Sequence, residues 1–139
     1  MKSLHVLGIM MSLCAGGCAA YGGALLLPVP MEVSSPSGFV LRSPDAIQTP
    51  TGTRFHGAVC RKSSMLSPTR VRVDRLGARG DVLASASRPL GGLGGRGRRC
   101  TFYEVPTDWT IGAGESVRVC ALRSDSPCPP TPSPGRPAS

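Results

Sequence analysis

An alternation of polar and apolar residues constrains the fold of this chain more than any other feature. The run Arg70–Leu76 places valine or leucine at every second or third position between charged residues, which is the pattern of a strand with one buried face. A turn with two glycines follows at Gly77–Asp81, and Val82–Ser87 resumes an extended pattern. Two such runs joined by a short turn predict a β-hairpin.

Three further short runs have strand character, and no segment of comparable length has helical periodicity. They are Phe55–Cys60, Cys100–Val105 (ended by Pro106) and Ser116–Leu122. Short strands separated by turns predict an all-β fold, here a small antiparallel β-sandwich or partial barrel of about five to seven strands. We place this domain at residues 54–122, with few aromatic residues available for its core. Phe102, Tyr103 and Trp109 are predicted to mark the core centre.

Proline-rich segments flank the predicted domain on both sides. Residues 21–53 carry prolines at 28, 30, 36, 44 and 50 and predict a semi-extended tether, interrupted at most by a short strand at Gly38–Arg42. Residues 123–139 carry six more prolines, at 127, 129, 130, 132, 134 and 137, and predict a disordered tail.

Residues 1–20 have the organisation of a secretion signal. Lys2 supplies a positive charge, Val6–Leu13 is apolar, and small residues follow up to Ala20. Three outcomes are open: lipidation of Cys18, cleavage before Tyr21, or retention as an apolar anchor helix. We favour the first, because the residues before Cys18 resemble a bacterial lipoprotein signal. Ala19 after that cysteine then implies an exported protein anchored by lipid to the outer membrane, with a periplasmic or secreted protein as the alternative.

Four cysteines follow the export segment, at positions 60, 100, 120 and 128. Disulfides persist in an exported protein, and four cysteines permit three pairings. If the strands carrying Cys60 and Cys100 are antiparallel neighbours, these two residues pair and Cys120–Cys128 closes the tail. Cys60–Cys120 is the competing pairing.

The order of elements resembles the small immunoglobulin-like modules of bacterial envelope proteins, including the FxLYD type. The resemblance implies a sandwich with an accessory or binding role rather than a chemistry. It covers about half the chain and rests on Phe55-x-Gly57-x-Val59, Val71-x-Val73, Arg75-Leu76, Gly80-x-Val82-Leu83 and a glycine-rich turn before Phe102.

Catalytic, metal and cofactor sites are not predicted. His56 is the sole histidine beyond the signal, and neither a CxxC pair nor a nucleophile elbow accompanies it. A hydrolytic set drawn from His56, Cys60 and Asp74 or Asp108 is therefore not favoured. Gly92–Gly97 matches GxGxxG literally, but a dinucleotide site needs a strand before it and a helix after it. We interpret it as a loop.

Arginine dominates the charge of the chain, whose formal net value is +8. Arg96, Arg98 and Arg99, with Arg70, Arg72 and Arg75 on the predicted hairpin, are candidates for a basic patch. Such a patch fits lipopolysaccharide, acidic polysaccharide or nucleic acid, although the aromatic residues that stack on bases are missing. The competing interpretation places these arginines on solvent faces of strands.

The sequence thus predicts a non-enzymatic envelope lipoprotein with a structural, accessory or protein-interaction role. Its alternative is a module binding anionic envelope ligands.

Overall fold

Two four-stranded sheets make up the part of the chain that the structure describes. This structure is a computed structural model, and it describes residues 25–35, 38–62, 70–91, 93, 99–124 and 126–130. Within these ranges there are eight strands and no helix. The strands are β1 (Leu25–Leu27), β2 (Met31–Ser34), β3 (Phe39–Thr49), β4 (Gly52–Arg61), β5 (Arg70–Leu76), β6 (Val82–Pro89), β7 (Cys100–Pro106) and β8 (Ser116–Leu122).

The sheets pack as a sandwich, which confirms the predicted all-β class with eight strands instead of five to seven. The first sheet has the order β1-β3-β4-β7 and the second β2-β8-β5-β6. Of the pairings described, β2 with β8 is parallel and the others are antiparallel. The predicted hairpin is confirmed as β5 and β6, in which Arg70 is the register partner of Pro89.

The segment predicted as a tether instead supplies strands to both sheets, so that prediction is wrong for β1 and β2. The short strand expected at Gly38–Arg42 is the start of the longer β3. The prolines there lie where ladder hydrogen bonds are not needed, as proline requires. Pro28 and Pro30 fall in the crossover from β1 to β2, and Pro44 falls in the irregularity between Arg42 and Asp45. Pro50 occupies the turn between β3 and β4. The sandwich therefore begins well before residue 54.

Aliphatic and aromatic side chains from the two inner faces form one core between the sheets. Alternation puts Phe55 and Val59 of β4 inside, facing Val71 and Val73 of β5 and Val117 of β8. All five are almost fully buried. The core is thus assembled from residues of both sheets, as expected for a sandwich.

The aromatic cluster predicted as the core centre divides between core and surface. Tyr103 is buried, and Trp109 packs against Phe55 with ring centroids 5.4 Å apart. Phe102, however, is 88% exposed, because successive residues of β7 point to opposite faces and Tyr103 takes the inner one. Gly57 leaves the room that the Tyr103 hydroxyl fills, since a Cβ at this glycine would lie 2.7 Å from the hydroxyl oxygen.

Both predicted disulfides are present. Cys60 and Cys100 are register partners across β4 and β7, with Cα atoms 4.0 Å apart. Cys120 of β8 is joined to Cys128, which ties the segment after the last strand to the outer face of the second sheet. Cys128 is buried beside Leu122, so this part of the predicted tail packs on the domain. Residues 131–139 lie outside the described residues.

Candidate anion-binding surface

Three cations lie together where β4 ends and β7 begins. Arg61 is the last residue of β4, Lys62 follows it, and Arg99 precedes β7. The Arg61 amide donates to the Arg99 carbonyl at 2.8 Å, and the Lys62 amide donates to the Gly38 carbonyl at 2.7 Å. These bonds and the neighbouring Cys60–Cys100 bridge fix the backbone beneath the cations. We call this surface, formed by Arg61, Lys62 and Arg99, the cationic end.

The side chains of the cationic end point largely into solvent. Lys62 and Arg99 are exposed, and Arg61 is half-buried. The acidic residues on these strands, Asp45 and Glu104, pair in register with His56, four residues along β4 from Cys60. The acidic residues of these strands therefore lie away from the bridge, where the cationic residues are. An exposed cluster of this sign attracts anions over about a Debye length, ~8 Å at physiological ionic strength.

Arg72 and Arg75 of the hairpin do not extend this cluster, which corrects the sequence-based expectation for these two residues. The Arg70 Nη2 donates to the Ser87 hydroxyl at 3.1 Å. The Arg72 Nε donates to Asp74 at 2.7 Å, and its Nη2 donates to Ser85 at 2.9 Å. Arg75 lies at the other end of β5 and makes two bonds of 2.8 Å to the Glu115 carboxylate. Both arginines are therefore engaged in ion pairs within the fold. Glu115 is forty positions from Arg75 in the sequence, and no local sequence pattern predicts that the two residues pair.

Of the candidate residues, Arg99 is described and exposed, whereas Arg96 and Arg98 lie outside the described residues. Cys18 also lies outside them. The GxGxxG match is represented only by Leu93, which is buried against the core. Arg61 and Lys62 were not singled out from the sequence. The sequence feature that could have identified them is their position directly after Cys60. A disulfide from Cys60 to Cys100 brings them close to Arg99, which directly precedes Cys100.

The residues considered for catalysis lie in different sheets or are already bonded to other residues. Asp74 is 2% exposed and is held by Arg72 and Ser85 in the second sheet. His56 belongs to the first sheet, and Cys60 is in a disulfide, which removes its nucleophilic thiolate. The described part of the chain contains no group of three or more His, Cys, Asp or Glu residues placed to hold a metal ion.

A groove of about 440 Å³ lies at the opposite end of the sandwich. Its walls are the β1–β2 crossover and the turn before β8, and they are mainly apolar. Glu115 is its charged wall residue; the bonds from Arg75 and from the Gly112 amide lower the pKa of its carboxyl group. The same ion pair raises the pKa of Arg75. The lining residues are Leu27–Pro30 and Ile111–Ser116.

Comparison of the chain with family models, curated proteins and solved structures gave no match. The resemblance to FxLYD-type modules therefore stays a prediction. Among the described residues, no helix has the length and apolar character needed to cross a bilayer.

Proposed function

We propose that this chain is a non-enzymatic, exported lipoprotein of the cell envelope, anchored through Cys18, with a structural, accessory or protein-interaction role. The observation that carries the proposal is the pairing of all four cysteines beyond the export segment. Two structural disulfides in a small domain are typical of an oxidising compartment such as the periplasm or cell surface. The signal-like residues 1–20 point to the same compartment independently.

The arrangement of polar side chains supports a role without chemistry. Ion pairs in the sandwich join residues of its own strands: Arg54 to Glu104, Arg72 to Asp74 and Arg118 to Glu32. Catalytic groups are usually held in a cleft with perturbed pKa values and an open position for substrate. Two of these pairs instead connect neighbouring strands and the third lies within β5, which is the arrangement of a scaffold.

Intact-mass measurement of the protein from its native host tests this proposal. We expect a chain beginning at Cys18 with the added mass of a diacylglyceryl group and an amide-linked acyl chain. Spectra with and without reduction and alkylation should count two disulfides. A lipid-free chain beginning at Tyr21 would exclude the anchor, and free thiols in the native protein would contradict the compartment.

A second candidate function is binding of an anionic envelope ligand at the cationic end, such as acidic polysaccharide or lipopolysaccharide. The exposure of Lys62 and Arg99 beside the disulfide favours it. Removing two exposed contacts, each worth up to about 0.7 kcal/mol, would weaken binding by roughly tenfold.

Retention on immobilised heparin and lipopolysaccharide tests this candidate. The variant Lys62→Ala/Arg99→Ala should elute at lower salt than the parent, and adding Arg96→Ala and Arg98→Ala should lower it further. The control Arg54→Ala/Arg79→Ala removes the same charge from exposed positions at the opposite end of the sandwich. Equal losses from both pairs would show that net charge alone governs retention and would exclude a site.

A further inference from the structure

Exposed aliphatic side chains concentrate at the end of the sandwich opposite to the cationic end. Leu25 and Leu26 of β1 are 70% and 68% exposed, and Val82 and Leu83 of β6 are about half exposed. They represent four of the six large apolar residues exposed in the described part of the chain. We call this surface, formed by Leu25, Leu26, Val82 and Leu83, the leucine end.

Strand register places both aliphatic pairs at the same end. Leu25 pairs with Gln48, immediately before the β3–β4 turn. Val82 pairs with Leu76 at the end of β5, which in turn pairs with Ser116 at the start of β8. β1 and β6 are edge strands on opposite sides of the sandwich. The aliphatic residues thus occupy two corners of one end.

Charges at the leucine end are balanced, in contrast to the cationic end. Arg75 is bonded to Glu115 there, and exposed Arg79 is accompanied by Asp81 in the same turn. Apolar side chains without an excess of charge favour contact with a lipid interface, where aliphatic groups leave water.

The short length of chain between Cys18 and β1 keeps the leucine end close to the membrane in which a lipidated Cys18 is anchored. Seven Cα-to-Cα steps separate Cys18 from Leu25, and a fully extended chain of that length spans at most roughly 25 Å. We propose that the leucine end rests on the lipid surface of the membrane to which Cys18 is anchored. This inference depends on the lipidation of Cys18 in the proposed function.

The same length opposes the reverse orientation. Leu25 pairs with Gln48, and Gln48 pairs with Thr53 of β4, so Leu25 and Thr53 lie at the same height along the strands. Arg61 lies eight residues further along β4. At ~3.4 Å per residue these levels are roughly 27 Å apart. Placing the cationic end on the anchoring membrane would require the link between Cys18 and Leu25 to be fully extended with no slack. The cationic end therefore faces away from that membrane.

Trp109, the single tryptophan of the chain, provides the test. It packs on Phe55 at the leucine end. The lipidated protein is reconstituted into vesicles of phosphatidylethanolamine and phosphatidylglycerol that contain a brominated phosphatidylcholine, whose bromines quench tryptophan fluorescence at short range. We expect strong quenching in the parent and a several-fold smaller quenching in Leu25→Ser/Leu26→Ser. Vesicles without phosphatidylglycerol should give the same result, because the contact is apolar.

Phe102→Ser is the matched control, since it removes an exposed apolar side chain away from this end. It should leave quenching unchanged, and circular dichroism should show all variants folded. Absence of quenching in a protein whose mass confirms the lipid would overturn this inference and leave the proposed function standing. Absence of the lipid itself would overturn the proposed function. Loss of self-association in the leucine variant, with quenching unaltered, would assign the surface to a second copy and contradict the lipid contact.

Discussion

The two ends of the sandwich are held together by different means. At the cationic end, Arg61, Lys62 and Arg99 carry like charges on adjoining backbone, and the Cys60–Cys100 bridge joins the strands beneath them. At the leucine end, Arg75 and Glu115 attract each other, Leu76 is buried, and Phe55 packs on Trp109. The difference shows how a chain with a small core keeps like charges exposed: a covalent bond offsets repulsion that packing alone would have to overcome.

Removal of the Cys60–Cys100 bridge is expected to have the largest effect. The bridge spans a sequence separation of 40, and loop closure of that length contributes about 4 kcal/mol to the free energy of unfolding. Cys60→Ala/Cys100→Ala should lower the urea midpoint accordingly. Added salt should recover part of the loss, because it screens the exposed cations. A loss that is insensitive to salt would break the proposed link between the bridge and the charges.

At the leucine end, Leu76→Ala is expected to cost about 3 kcal/mol, because it removes a side chain that is 1% exposed and leaves a cavity. Urea unfolding should show the same loss at low and high salt. The control Leu83→Ala, at a half-exposed position, should change the midpoint little. A strong salt dependence for Leu76→Ala would mean that the two ends do not differ as described.

The second bridge should matter less than the first. Cys120–Cys128 spans a separation of 8, for which loop closure gives about 2.5 kcal/mol. Cys120→Ala/Cys128→Ala should therefore unfold at a higher urea concentration than the variant lacking Cys60–Cys100. Reversal of this order would show that the packing of Cys128 against Leu122, rather than loop closure, sets the contribution.

Lowering the pH should weaken the Arg75–Glu115 ion pair at the leucine end and reduce the free energy of unfolding by less than any of the substitutions above. The pKa of Glu115 is lowered from 4.5 by the bond from Arg75, aided by the Gly112 amide. Its contribution to stability is therefore present above about pH 4.5 and is lost as the pH falls through the lower value in the folded state. Glu115→Gln should flatten the acid limb of a stability–pH profile. An acid limb that is equally steep in Glu115→Gln and in the parent would contradict the contribution of this ion pair.

Alternation of polar and apolar residues predicted strands at β4 and from β5 onward, and cysteine position favoured the disulfide pairing that the structure has. The strands before β4 were not predicted, apart from the short one at Gly38–Arg42, because the prolines there indicated a tether. Those prolines instead occupy a crossover, an irregularity and a turn between paired strands. Local sequence cannot show which segments find partners far along the chain. For the same reason, local sequence could not show which charged residues become neighbours. Glu115 bonds to Arg75, and the Arg61 amide bonds to the Arg99 carbonyl, only once the strands are paired.

The strands also have a mechanical consequence. They run between the two ends, so a pull applied from one end to the other acts along their axes. Inter-strand hydrogen bonds are perpendicular to the strands in antiparallel ladders, and such a pull must shear whole ladders at once instead of opening them one bond at a time. β2 lies parallel to β8 over four residue pairs, so tension on the amino-terminal side is resisted in the same way. An anchor at one end and a ligand at the other would load the sandwich in its stiffest direction.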